Sequence, residues 1–278
     1  MELSPDSNLP FFAYGLFRPG QVAFFQLREL VSSVTEPAQV AGTLLLRDGL
    51  PIIESNGSGR VKGALVTFVP EQAATAYERI SAMEPDKHYR WNEADVDGKP
   101  ANVLVGRYPR KGSVPCEEDD WNGWNDPLFT EALDVVEETM ASSDFEWNLK
   151  PLFRMQMAYL LLWSSIERYV SLRYHLGKKV MEKVDQLASE PAFAAGLSQH
   201  VKDCRKVYRA DQPDKSVELD PQSPHKSLTY YYQVRSNITH RGKGVFQDHQ
   251  RVKQSLTELL AIFREVLKAA EVEARYPA

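Results

Sequence analysis

Residues 230–244 read Tyr-Tyr-Tyr-Gln-Val-Arg-Ser-Asn-Ile-Thr-His-Arg-Gly-Lys-Gly. Arg235 and His240 are separated by four residues in a segment whose apolar spacing predicts an amphipathic helix. The two side chains suit chemistry on phosphate. An imidazole exchanges a proton near neutral pH. A guanidinium is a planar, permanently charged fork that holds phosphate and offsets the charge developing on it. The spacing also sets a geometric condition. Residues five apart on an ideal helix point about 140° away from each other, so the pair converges only across a groove or where the helix loosens. A second candidate is Glu84, which closes a predicted helix shortly before His88-Tyr89-Arg90. A carboxylate within hydrogen-bond reach of an amine, facing backbone N–H donors, can act as an acid/base.

Two kinds of element must position these groups. Residues 9–112 carry strand patterns at Phe11–Gly15, Gln39–Leu46, Arg60–Val69 and Ala101–Tyr108. Ser55-Asn56-Gly57-Ser58-Gly59 reads as a turn; its Gly-x-Gly is followed by a strand pattern, not the helix that a dinucleotide fingerprint needs. Pro70-Glu71 opens a helix to about Met83, with Ala73, Ala76, Tyr77 and Ile80 on one face. Residues 112–126 form a polar, acidic connector, and its two tryptophans predict docking onto a surface. From Asp126-Pro127 onward the period is helical, with Phe129, Leu133, Val136 and Met140 at helical spacing. Pro151–Leu176, Gly177–Leu187, Pro191–Arg209, Leu228–His240 and Val245–Glu273 read as helices, with Asp211–His225 as a loop. The expected organisation is α+β: a small α+β domain at 9–111, a linker at 112–126 and an all-α bundle at 127–278.

The Arg-x4-His pair on the penultimate helix of such a bundle resembles the active-site motif of the HEPN superfamily, small all-α domains many of which are metal-independent ribonucleases. The resemblance covers roughly residues 127–273 and makes Arg235 and His240 the catalytic pair. Asn237 lies inside the motif, and Glu167 falls on an apolar stripe with Trp163, Ile166 and Val170. The family arrangement implies that this buried acid pairs with the motif's Arg or His. Many members have Asn or Asp directly after the Arg, where this chain has Ser236, so the polar role passes to Asn237 or is lost. The family brings two motifs together in a cleft between protomers. That implies a homodimer through the helical half, with single-stranded RNA as partner.

Residues 11–20, Phe-Phe-Ala-Tyr-Gly-Leu-Phe-Arg-Pro-Gly, resemble the opening strand and loop of the gamma-glutamylcyclotransferase-like superfamily. Glu84 followed by Tyr89-Arg90 matches that family's Glu and later Tyr-Arg, and Pro51-Ile52-Ile53 and Val61-Lys62-Gly63-Ala64-Leu65 fit its intervening strands. The resemblance implies a small β-barrel in which Tyr14 and Gly15 shape a carboxylate-binding loop. Glu84 would take a proton from the alpha-amine of a gamma-glutamyl substrate, with Tyr89 beside it, as 5-oxoproline closes. The family's small hydroxyl residue after Gly is Leu16 here, a bulk that can fill the pocket.

Composition narrows the classes. The net charge is −5, spread unevenly: residues 113–150 carry −10 and residues 151–278 carry +6. A basic helical half is compatible with a polyanion, or with lysines and arginines solvating helix faces. The longest strongly apolar run, Met157–Trp163, is far too short to span a bilayer. Cys116 and Cys204 lie far apart, and no metal-ligand spacing occurs, so neither metal nor cofactor is expected. The polar N-terminus does not read as a secretory signal, and the expected location is the cytoplasm. Three functions fit. One is a HEPN-like ribonuclease with a barrel as sensor or accessory, by family analogy in stress or defence. Another is a gamma-glutamylamine cyclotransferase with a dimerising helical domain. The last is a non-catalytic interaction module in which Arg235 pairs with Glu167.

Overall fold

The computed structural model describes residues 5–84, 87–142, 149–174, 179–241 and 246–275; at His240 the description extends to the backbone only. The chain divides into two compact units. The first runs to Pro127 and includes the end of the last helix from Glu273, and the second is Leu128–Val272.

In the first unit, five strands close a barrel in the order β1-β5-β2-β6-β7. They are β1 (Phe11–Ala13), β2 (Val31–Ala41), β5 (Arg60–Phe68), β6 (Tyr89–Val96) and β7 (Lys99–Gly106). A second sheet, ordered β4-β3-β8, consists of β3 (Thr43–Arg47), β4 (Leu50–Glu54) and β8 (Val114–Pro115). The single strand expected over Gln39–Leu46 is therefore two. Gly42, at φ +151, turns the chain from barrel to second sheet, and a Cβ there would meet Glu54 O and Ile53 Cγ2, both at 3.0 Å. Helix α1 (Ala73–Met83) covers an aromatic cluster. Tyr77 meets Phe68 at 5.4 Å and Trp91 at 5.4 Å between ring centres, and Phe11 at 6.4 Å. The connector docks as its tryptophans imply: Trp121 Nε1 donates to Gly49 O at 3.1 Å and Trp124 Nε1 to Gly20 O at 2.9 Å.

The second unit holds α2 (Glu131–Ser142), α3 (Leu149–Tyr174), α4 (Val180–Ala188), α5 (Pro191–His200), α6 (Pro224–Arg241) and most of α7 (Phe246–Arg275). It is not all-α. A two-stranded antiparallel sheet, β9 (Arg205–Tyr208) with β10 (Ser216–Leu219), stands where the sequence reading had the end of a helix and a loop. Both segments obey period two, with Val207 and Leu219 buried and their neighbours mostly outside. The core is aromatic: Trp163, Tyr159, Tyr169, Phe193, Tyr230, Tyr231 and Phe263 are all enclosed. Among the described residues, no helix is long and apolar enough to cross a membrane.

Candidate active sites

Helix α6 carries the Arg-x4-His pair, and its first half is fixed by buried polar bonds. Tyr230 and Tyr231 are each 0% exposed, so two of the three consecutive tyrosines are core residues. Tyr159 Oη donates to the Tyr231 carbonyl at 2.9 Å. Tyr231 Oη donates to Glu258 Oε2 at 3.0 Å on α7. Arg205 of β9 grips Glu258 with both terminal nitrogens and donates its Nε to Tyr230 Oη at 3.1 Å. Burial, and then the Glu258 charge, push the Tyr231 phenol well above its usual range, so it keeps its proton and donates it to Glu258. Sheet, penultimate helix and last helix are thus tied at one charged node.

Arg235 lies one turn beyond this node and is partly buried. Its Nε is enclosed without a hydrogen-bond partner, and it forms no ion pair among the described residues. The acid expected to pair with it is otherwise engaged. Glu167 Oε1 accepts a hydrogen bond from Trp163 Nε1 at 2.9 Å. The Trp163 ring lies 5.7 Å from that of Tyr232, three residues before Arg235. The Arg235–Glu167 pair expected of a non-catalytic module is therefore not formed. Asn237 is committed to the sheet: its Oδ1 accepts from Ala210 N at 3.0 Å, and its Nδ2 donates to Tyr208 O at 2.8 Å. Gln233 Nε2 also donates to Asn237 Oδ1 at 2.9 Å. Helix α6 is continuous through position 240, so positions 235 and 240 stand about 140° apart around its axis. The His240 side chain lies outside the described residues.

In the barrel unit, the four residues singled out from the sequence come together. Tyr14 is buried, donates its hydroxyl to Leu104 O at 2.8 Å and receives the Ile53 backbone N–H. Burial raises the Tyr14 pKa most, and the nearby Tyr89 and Glu84 charges raise it further. Tyr89 Oη donates to Pro51 O at 3.0 Å. A Cβ on Gly15 would meet Pro51 Cγ at 3.0 Å, so the loop after β1 passes close against β4. Glu84 caps α1, its N–H donating to Ile80 O at 3.1 Å. Leu16 is buried, as is Phe17. A separate cavity of about 430 Å³ opens among the barrel strands, lined by Asn92, Asp95, Arg60, Ser55 and apolar residues including Ile53 and Val103. Tyr14, Gly15, Glu84 and Tyr89 are not among its walls.

The sequence reading missed the Arg205–Glu258 node. It placed Arg205 on a helix, and Glu258 was passed over beside the apolar stripe of α7. An acid between Leu256 and Leu259 was the available signal, since a carboxylate there is costly without a partner. A second buried node was missed for the same reason: Tyr169 Oη donates to Glu190 Oε2 at 3.0 Å, and Arg173 lies 3.8 Å from Glu190 Oε1. Among the described residues, no three His, Cys, Asp or Glu side chains are grouped to hold a metal ion. Comparison with models of protein families, with curated proteins and with solved structures gives no significant match.

Proposed function

We propose that the helical unit is a HEPN-like, metal-independent endoribonuclease that cuts single-stranded RNA as a cytoplasmic homodimer. In this reading the barrel unit is a gamma-glutamylcyclotransferase-like sensor or accessory domain. The observation that carries it is Arg235. A partly buried guanidinium on a pinned helix, with no carboxylate paired to it among the described residues, leaves a cation for an anion from outside to neutralise. Arg235 holds the scissile phosphate and offsets its developing charge, and His240 moves the proton. Because positions 235 and 240 diverge around α6, one copy makes a poor site, and two motifs in one groove make a better one. In the test, the purified chain cuts single-stranded RNA in the presence of a chelator. Arg235→Ala and His240→Ala each abolish cutting with the circular dichroism spectrum unchanged. Cutting that survives His240→Ala, or that stops with the chelator, overturns the mechanism.

The convergence of Tyr14, Gly15, Glu84 and Tyr89 favours a second reading, a cyclotransferase acting on a gamma-glutamyl amine. Glu84 would be the acid/base, and Glu84→Gln would lower 5-oxoproline release about 100-fold. The bulk of Leu16 predicts no turnover of simple gamma-glutamyl amino acids. Robust turnover of those would show that Leu16 leaves the pocket open.

A further inference from the structure

Four of the large apolar side chains exposed in the helical unit gather on one face, apart from Tyr208 and Val272. Val135 (49% exposed), Leu149 (52%), Phe153 (48%) and Met157 (67%) line a groove of about 960 Å³ between α2 and α3. Singly exposed apolar residues need no explanation, but a contiguous groove of them on a folded domain marks a docking surface. The flanks of the groove carry opposite charge. Lys150 and Arg154 border it on α3. On α2, Glu131 and Glu138 share the stripe of Val135, four residues before it and three after it. Asp134 and Glu137 are held by Arg264 at 3.0 and 2.8 Å, but Glu131, Glu138, Lys150 and Arg154 form no ion pair among the described residues.

We propose that the α2/α3 face docks a second copy of this chain. A surface that is acidic on one flank, apolar in the centre and basic on the other is self-complementary under a two-fold axis running along the helices. That axis lays α2 of each copy on α3 of the other, so Glu138 of either copy meets Lys150 and Arg154 of its mate. An axis across the helices would set acid against acid and is disfavoured. The apolar centre supplies affinity, and the charges set the register. The face is continuous with the candidate site. Phe153, Met157, Leu160, Ser164 and Glu167 follow one another at three- and four-residue steps along α3, so the stripe ends at the Glu167–Trp163 corner beside Tyr232. The inference names the face of the homodimer proposed above, and it does not depend on RNA being cut.

The experiment is sedimentation equilibrium of the full chain at micromolar concentrations. The wild type is expected at twice the monomer mass. Met157→Glu buries a charge in the apolar centre and should weaken the dimer by about 30-fold or more with the circular dichroism spectrum of the monomer unchanged. Glu138→Lys should weaken it too, and adding Lys150→Glu and Arg154→Glu should restore it. A monomeric wild type overturns the proposal. So does a dimer indifferent to Met157→Glu, or a charge reversal without rescue. A dimer that behaves as expected but cuts no RNA counts against the ribonuclease reading alone.

Discussion

Trp163 Nε1 donates to Glu167 Oε1 at 2.9 Å, four residues along the same helix, and no ion pair joins Glu167 to Arg235. An acid on an apolar stripe of α3 is satisfied within its own helix, and the guanidinium on α6 is left without a counter-charge among the described residues.

The first prediction follows from that bond. Glu167→Gln keeps an oxygen for the indole N–H, so it should change stability by less than about 1 kcal/mol and leave RNA cutting within a few-fold of wild type. Denaturant unfolding followed by tryptophan fluorescence, together with a cleavage time course, checks it. Loss of cutting in a fully folded Glu167→Gln would place the carboxylate back in the chemistry.

The Arg205–Glu258 node should dominate the stability of the helical unit. Glu258→Ala strands a partly buried guanidinium and the Tyr231 hydroxyl, and is expected to cost about 2–4 kcal/mol. Replacing both partners, as Arg205→Met with Glu258→Leu, should cost much less than the sum of the single changes. A double-mutant cycle by chemical denaturation measures this, and additivity within error would show that the pair is not coupled.

Asn237→Ala should loosen the sheet without unfolding the unit. It removes the acceptor for Ala210 N and the donor for Tyr208 O, a loss of about 1–3 kcal/mol. Amide exchange should quicken over Arg205–Leu219 and stay slow around Leu259–Phe263. Unchanged protection in the sheet would free Asn237 for a role toward RNA.

His249 on α7 predicts a pH dependence. It is 4% exposed, and its pKa is lowered, first by burial and then by Lys253. A histidine depressed in the folded state binds its proton more readily when unfolded. Stability is therefore full above the unfolded value of about 6.5 and falls as the pH drops below it, by at most about 1.4 kcal/mol per pH unit. Melting temperatures at pH 7.5 and 5.5 should differ more for wild type than for His249→Gln. Equal differences would assign the acid sensitivity to other groups.

By itself the sequence determined the elements whose residues repeat with a clear period. The apolar stripe of α7, the helical run of α3, the strands around Val61 and Val103, and the docked tryptophans of the connector could all be read from local pattern, because burying one face leaves that mark. Two Asp-Gly pairs also encoded hairpins. Asp48-Gly49 and Asp97-Gly98 both take positive φ, the geometry that two-residue turns need, and they join β3 to β4 and β6 to β7. Tertiary structure decided the rest. Strand β6 is mostly polar and half exposed, and it is a strand because β7 pairs with it along its whole length. The β9/β10 sheet has four residues a side and gains its place from Asn237 on α6 and Glu258 on α7, contacts that no local window contains. The same holds for the sites. Residue types and spacing singled out Arg235, Glu167, Tyr14 and Glu84, but only packing gave Glu167 to Trp163, left Arg235 without an ion pair among the described residues, and gathered Tyr14 and Tyr89 around Pro51 and Ile53. A side chain's partner depends on which groups reach it first across distant segments, and that competition is settled by the fold.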